Sequence, residues 1–143
     1  MIIVTNIRNV DYTAYDEVWA IVRSLKHPEK MKHVPELSPS LKLLKQYLQL
    51  RNTGRWNSKA FQDRYVPTFL QEMQTAAARK KLNELVWLDR HERRIALVCF
   101  CSDETTCHRS IVAGILQHVG VQIEGVMGDH SQYGRNYEQL TRH

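Results

Sequence analysis

The stretch RRIALVCFCSDETTCHRSIVAGIL, residues 93–116, joins an apolar run to a polar segment and then to a second apolar run. IALVCFC is apolar at every position, which is typical of a strand buried on both faces of a sheet. HRSIVAGILQHVG repeats apolar residues at helical spacing, Gly120 predicts the end of that helix, and VQIEGV predicts the next strand. Together they predict a βαβ unit, whose crossover is right-handed in nearly all proteins.

The rest of the chain adds strands and helices to this unit. IIVTNI predicts an opening strand, and residues 15–26 carry apolar side chains at helical spacing, which predicts a first helix. HPEKMKHVPELSPS predicts a long loop, and Ser38 followed by a proline predicts the start of the next helix. Asn57 or Ser58 opens a further helical stretch, which Pro67 is expected to kink or break.

We therefore expect one three-layer α/β domain, 1–143, with a short, mainly parallel sheet and helices on both faces. The polar tail, about 129–143, fits no pattern, and its order is left open. No apolar run is long enough to cross a membrane, and the first residues lack the features of a signal peptide. Three cysteines form no spaced disulfide framework, so we expect a cytoplasmic protein. A homodimer is left open.

The net charge of +5 and the pI near 9.2 permit anionic partners. The basic residues are interleaved with apolar positions, which is more typical of solvated helix faces than of a nucleic-acid groove. Nucleic-acid binding is nevertheless one hypothesis, in which Tyr133, Arg135 and Tyr137 of the tail stack on bases and pair with phosphates.

The polar segment contains the candidate reactive residues, since Cys107, His108 and Arg109 follow one another there. In parallel sheets, ligands bind beyond the carboxyl ends of the strands. Thr106 is a candidate helix cap, so these residues and Ser110 would form the first turn, where free amides and the helix dipole favour anions. That setting also favours a thiolate at Cys107. The residue types suit a nucleophile, a proton acceptor and an anion clamp.

Two other interpretations use the same residues. Cys99, Cys101, Cys107 and His108 offer four zinc ligands, but C-x-C-x5-C-H is not a common zinc knuckle, so we expect no cofactor and keep zinc as the alternative. Cys99 and Cys101 also suit the role of small apolar fillers in a buried strand. A phosphatase-type Cys-x5-Arg loop is disfavoured, because Ala113 stands where the arginine would be.

ALVCFCSDETTCHRSIVAGIL resembles the signature of the bacterial and phage domain-of-unknown-function 488 family: a strand ending in cysteine, an acidic loop, and Cys-His-Arg before a helix. Cys99 and the triplet starting at Cys107 match it, and Cys101 is not part of the pattern. IIVTNIRNV is similar to the family's strand ending in Asp-Val-Arg, with Arg8 matching the arginine and Asn6 in place of the aspartate. WNSKAFQDRYVPTFL is similar to the family's aromatic helix. The resemblance, from Ile2 to about Val126, implies an α/β fold and one site uniting these residues.

These observations lead to a first hypothesis: a small anionic, nucleotide-type ligand binds between NIRN and SDETTCHRS. Ligand contacts are expected from six residues: Asn6, Arg8, Asp103, Glu104, Arg109 and Ser110. Cys107 would be the nucleophile, assisted by His108 or a nearby carboxylate. The second hypothesis is a protein that sequesters or senses this ligand without chemistry, because Asn6 cannot act as a general base. The residues 25–38 are expected to lean over the pocket.

Overall fold

The computed structural model describes residues 1–26, 30–101 and 103–141. Five strands, all parallel, form one sheet in the order β3-β2-β4-β1-β5. The strands are β1 (Ile2–Asn6), β2 (Glu17–Ala20), β3 (Lys32–His33), β4 (Ile95–Cys99) and β5 (Ile123–Glu124). The predicted α/β class with a parallel sheet is confirmed.

Strand β4 is the centre of the sheet, because β1 pairs with it on one side and β2 on the other. All five of its residues are buried, although successive side chains point to opposite faces. Both faces of the sheet are therefore covered, as a three-layer fold requires. The uninterrupted apolar run IALVC is the sequence counterpart of this position.

Helices and short helical turns account for most of the remaining chain. The helices are α1 (Leu41–Asn52), α2 (Ser58–Ala60), α3 (Val66–Glu72), α4 (Ala76–Arg90), α5 (His108–His118) and α6 (Ser131–Thr141). A π-helical turn (Phe61–Tyr65) joins α2 to α3, and 3-10 turns lie at Tyr12–Ala14, Pro35–Leu37 and Glu104–Thr106. Within the described ranges, no helix is both long and apolar enough to cross a bilayer.

The predicted first helix, 15–26, is wrong, because strand β2 (Glu17–Ala20) occupies this segment. Residues 18–22 are buried without interruption, so the segment shows no polar alternation. A short apolar run of this kind fits a helix or a fully buried strand equally well. The predicted long loop is corrected as well, since it contains β3 and a 3-10 turn; its residues 27–29 lie outside the described ranges.

The start of α1 lies two residues later than predicted. Ser40, not Ser38, caps the helix, and its Oγ accepts a hydrogen bond from the Leu43 amide. The Glu72 carboxylate accepts hydrogen bonds from both the amide and the hydroxyl of Ser40. This pairing fixes the amino end of α1 to the end of α3.

Pro67 does not break its helix. The π-helical turn ends at Tyr65, so the proline falls in the first turn of α3, where a missing amide costs little. The Val66 amide donates to the Phe61 carbonyl across this widened turn. The aromatic side chains of this stretch therefore stay on one continuous helical surface.

Helix α6 fixes the polar tail against α5 through two glycines. A side chain at Gly134 would overlap the side chain of His118, and one at Gly114 would overlap the backbone carbonyl of His130. The two helices therefore approach more closely than larger residues would permit. The helix is described as far as Thr141, and residues 142–143 lie outside the described ranges.

We expect Gly134→Ala to lower the free energy of unfolding by about 1–3 kcal/mol, because the added methyl group overpacks the contact between α5 and α6. Urea unfolding followed by circular dichroism measures this. Gln139→Ala, on the exposed surface of α6, is the matched control and should stay within roughly 0.5 kcal/mol of the wild type. Equal stability of the two variants would contradict the close packing.

Candidate functional site

A cavity of about 610 Å³ opens where strands β1, β2 and β4 end. Arg8 follows β1, Arg23 follows β2, and Phe100 follows β4, and all three side chains line its wall. Carboxyl ends of parallel strands are the usual place for ligands in α/β sheets. Helix α1 contributes Tyr47 and Arg51 from the opposite direction.

Four of the eight residues predicted from the sequence line this cavity, namely Arg8, Asp103, Cys107 and His108. They come from two segments almost a hundred residues apart in the sequence. The parallel pairing of β1 with β4, with Asn6 opposite Cys99, brings these segments together. The predicted pocket between NIRN and SDETTCHRS is therefore a real depression of the molecule.

Cys107 is the residue that caps α5, in place of the predicted Thr106. Its backbone is extended (φ −123°, ψ 145°), so the helix proper begins at His108. Its side chain accepts no capping hydrogen bond, and among the described residues no acceptor contacts the amides of His108 and Arg109. The first turn of α5 thus keeps free donors and the positive end of the helix dipole next to the thiol.

His108 is held in one orientation beside this thiol. Its Nε2 donates to the Ile21 carbonyl at 2.7 Å, because a carbonyl can only accept. The neutral ring therefore presents an unprotonated Nδ1, which lies 3.6 Å from the Cys107 Sγ. The ring also packs against Phe69. The pair places a proton acceptor next to a potential nucleophile.

The three cysteines form a compact cluster, with all three Sγ atoms within 4.8 Å of one another. Cys99 and Cys107 are buried, their sulfur atoms 3.4 Å apart, and Cys101 is half-buried. Hydrogen bonds from the thiols of Cys101 and Cys107 lower the pKa of Cys99, aided by the charge of Arg109. Burial raises the pKa of Cys107. Of these two buried thiols, Cys99 is therefore the more acidic.

Arg109 contacts the cysteine cluster and does not line the site cavity, and its role as an anion clamp stays a prediction. The side chain is buried, and its Nη1 donates to the Cys101 carbonyl at 3.0 Å and lies 3.7 Å from the Cys99 Sγ. Its Nε has no hydrogen-bond partner among the described residues. The helix turns this side chain inward, toward the end of β4.

Three more side chains that the sequence predicts as ligand contacts form hydrogen bonds within the protein and do not line the cavity. The Asn6 amide donates to the Cys101 carbonyl at 2.8 Å, and its oxygen accepts from the Arg8 amide. The Ser110 hydroxyl donates to the carbonyl of Cys107. Glu104 accepts from the amide of Met127. Short polar side chains near a helix start commonly satisfy local backbone groups in this way.

Sequence reasoning missed Arg23, Arg51 and the aromatic part of the cavity. Tyr47 and Arg51 are one helical turn apart on α1, a spacing that was available in the sequence. The spacing of Tyr47 also fits the apolar stripe of this helix, and Arg23 lies in the segment predicted as a helix. No signal in the sequence indicates that either arginine lines the same cavity as Cys107.

A second depression of about 740 Å³ lies beside the first, along α1 and the π-helical turn. It shares Tyr47, Trp56 and Tyr65 with the site cavity. It contains neither the cysteines nor His108. The smaller cavity, which is lined by two of the cysteines and by His108, is therefore the candidate site.

Fold and site define an α/β protein with a Cys-His pair and an arginine-lined cavity at the strand ends. Residues 4–120 match the family described as the active DUF488-N3 subclade (DUF488-N3a). This match covers most of the chain and includes Cys99 and the triplet from Cys107, so the protein belongs to the DUF488 family. Neither a curated protein nor a solved structure gives a significant match.

Proposed function

We propose that the protein binds a small anionic, nucleotide-type ligand in the site cavity, and that Cys107 acts on this ligand with His108 as proton acceptor. The observation that carries this proposal is the lining of one cavity by three arginines together with the Cys-His pair. The three free cysteines fit a reducing compartment, so we also propose a cytoplasmic location.

Positive charge in the cavity favours an anion. Arg8 and Arg51 are exposed, and no carboxylate pairs with either of them among the described residues. Arg23 is held in place by the carbonyls of Pro35 and Pro39, to which its guanidinium donates at 2.8 and 3.1 Å. Among the described residues that line the wall, Asp103 is the one acidic side chain. An anionic ligand would relieve the repulsion among the guanidinium groups and accept their hydrogen bonds.

The aromatic wall favours a ligand that also has a flat, apolar part. Phe100 is 54% exposed although it follows the most buried strand of the protein. Tyr47 and Trp56, which line the same cavity, pack edge to face with ring centroids 4.7 Å apart. Rings of this kind stack on nucleobases, and arginines bind phosphates. A nucleotide unites both features, and its size suits the volume of the cavity.

The Cys-His pair supplies the chemistry. In the proposed step, His108 Nδ1 accepts the thiol proton of Cys107, and the resulting thiolate attacks an electrophilic atom of the bound ligand. The proton on His108 is then available for the leaving group. The Ile21 carbonyl orients the ring throughout and stabilises it when it is protonated.

Binding without chemistry is the second candidate, and the environment of Asn6 favours it. The amide takes the position of the aspartate that the family resemblance implies, and both of its polar atoms are bonded to the backbone. Nucleic-acid binding through the tail has less support. Gln62 donates to the Tyr133 hydroxyl, and the Tyr137 hydroxyl donates to the Met73 carbonyl, so both rings are held against the protein.

Calorimetric titration tests the proposed binding. Nucleoside 5′-phosphates are titrated against the wild type, with the matching nucleosides as neutral comparators. We expect Arg8→Ala combined with Arg51→Ala to weaken phosphate-dependent binding by about 100-fold, since two charge-assisted hydrogen bonds are lost.

The matched control is Arg79→Ala combined with Arg90→Ala, which removes the same charge from the exposed surface of α4. Its affinity should change by no more than about threefold at physiological salt, where distant charges are screened. Equal losses in the two double variants would show a general charge effect and would contradict a site in this cavity.

A further inference from the structure

The cysteine cluster has the dimensions of a metal site. A zinc ion holds sulfur ligands at about 2.3 Å, so sulfurs of a tetrahedral site lie about 3.8 Å apart. The Sγ atoms of Cys99 and Cys107 are 3.4 Å apart, and Cys101 completes a triangle with no edge longer than 4.8 Å. Cys99 ends β4, Cys101 follows two residues later, and Cys107 is the cap of α5, so three separate positions bring their sulfur atoms together.

We propose that Cys99, Cys101 and Cys107 bind a zinc ion as three thiolates, with the fourth coordination position facing the site cavity. Two of the three, Cys101 and Cys107, line that cavity, so the triangle has an open side. Three protein ligands with one open position is the arrangement of zinc ions that take part in reactions. The site lies next to the proposed nucleotide, at the strand ends.

Arg109 provides a second, independent observation. Its guanidinium is buried and no carboxylate pairs with it among the described residues, yet a buried charge normally requires a partner. Zinc with three thiolates carries one net negative charge. Arg109 Nη1, 3.7 Å from the Cys99 Sγ, would neutralise this charge and donate to a ligand sulfur, as outer-shell groups do.

His108 stays outside the ligand set. Its Nε2 donates to the Ile21 carbonyl. Its Nδ1 lies 3.6 Å from the Cys107 Sγ, but His108 is not part of the group whose ligand atoms all lie within 4.8 Å of one another. Neighbouring residues such as Cys107 and His108 cannot easily bind the same ion. The proposed site avoids this difficulty because only Cys107 of the two is a ligand. Cys107 lies in an extended conformation before the helix, free to turn its sulfur toward Cys99.

Metal binding goes beyond the proposed function, although Cys107 belongs to both. Each protonated thiol releases its proton when it binds the ion, so the proton transfer from Cys107 to His108 belongs to the metal-free protein. The sulfur of Cys107 keeps its place on the cavity wall. Arginine-dependent binding of a nucleotide does not require the metal, so the two proposals can fail separately.

The experiment uses the full chain, freed of metal with a chelator, reduced with a phosphine and titrated with Co²⁺ under nitrogen. We expect one Co²⁺ per chain, a thiolate-to-cobalt charge-transfer band in the near ultraviolet, and d–d bands typical of four-coordination. Zn²⁺ should displace the cobalt and abolish the bands. Absence of the charge-transfer band in the reduced wild type overturns the proposal.

Two variants identify the ligands. Cys101→Ser should lower the affinity for Co²⁺ by more than the roughly 10- to 100-fold that loss of an outer-shell partner costs. His118→Gln removes a metal-binding side chain far from the cluster and should leave the spectrum unchanged. An unchanged spectrum in Cys101→Ser, or its loss in His118→Gln, would place the ion elsewhere and overturn the assignment.

Discussion

A Cys107→Ser protein is expected to retain the nucleotide and lose the reaction. Serine has nearly the shape of cysteine, so the contacts of Arg8 and Arg51 with the ligand are preserved and the dissociation constant should change less than about threefold. The hydroxyl is a far weaker nucleophile than a thiolate, and loss of a nucleophile lowers turnover by about a thousandfold or more. Ion-exchange chromatography of the nucleotide selected by calorimetry measures turnover, and calorimetry on the same sample measures binding.

Each outcome of this experiment decides between the two candidate functions. Turnover that persists in Cys107→Ser would contradict the assigned nucleophile. Tight binding without turnover by the wild type would favour the sequestering protein. Cys101→Ser separates nucleophile from metal, because it removes a proposed zinc ligand and keeps the thiol of Cys107 next to His108.

Arg109→Met is expected to cause the largest loss of stability. Methionine fills part of the space but offers no donor to the Cys101 carbonyl and no positive charge to the sulfur of Cys99. Removing one partner of a buried charge-assisted contact costs about 3–5 kcal/mol. The melting temperature should fall by about 10 °C, since 1 kcal/mol corresponds to roughly 2–4 °C in a domain of this size.

Urea unfolding of chelator-treated protein measures this loss without a contribution from metal. Arg90→Met, at the exposed end of α4, is the control and should unfold within roughly 0.5 kcal/mol of the wild type. Arg109→Lys should recover part of the loss, because it restores the charge without the planar fork. Equal stability of Arg109→Met and Arg90→Met would show that the guanidinium does not compensate a charge in the cluster.

Strand β4, helix α5 and strand β5 were predictable from the sequence. Burial of β4 on both faces of the sheet gives it a distinctive apolar run, and α5 repeats apolar residues at helical spacing. Strand β2 was not predictable, because its run of buried residues is too short to distinguish a strand from a helix turn. Helix α6 was also missed. Its packing depends on Gly114 and Gly134, and glycine in a helix gives no positive signal in a single sequence.

The site was predictable in position but not in the direction of its side chains. The parallel order of β1 and β4 places Arg8 near Cys107, as expected from the strand ends. Whether Arg109 turns toward the cavity or toward the core depends on where Cys99 and the Cys101 carbonyl lie, which is tertiary information. Arg23 and Arg51 face the cavity because of the packing of α1 and the end of β2, and neither follows from local sequence.

The central claim is that an anion binds among Arg8, Arg23 and Arg51 beside Cys107. Crystals grown with tungstate, a phosphate analogue with strong anomalous scattering, test it most directly. We expect an anomalous peak within hydrogen-bonding distance of Arg8 and Arg51 on the wall that contains Cys107. Tungstate peaks confined to other parts of the surface, with none in this cavity, would contradict it.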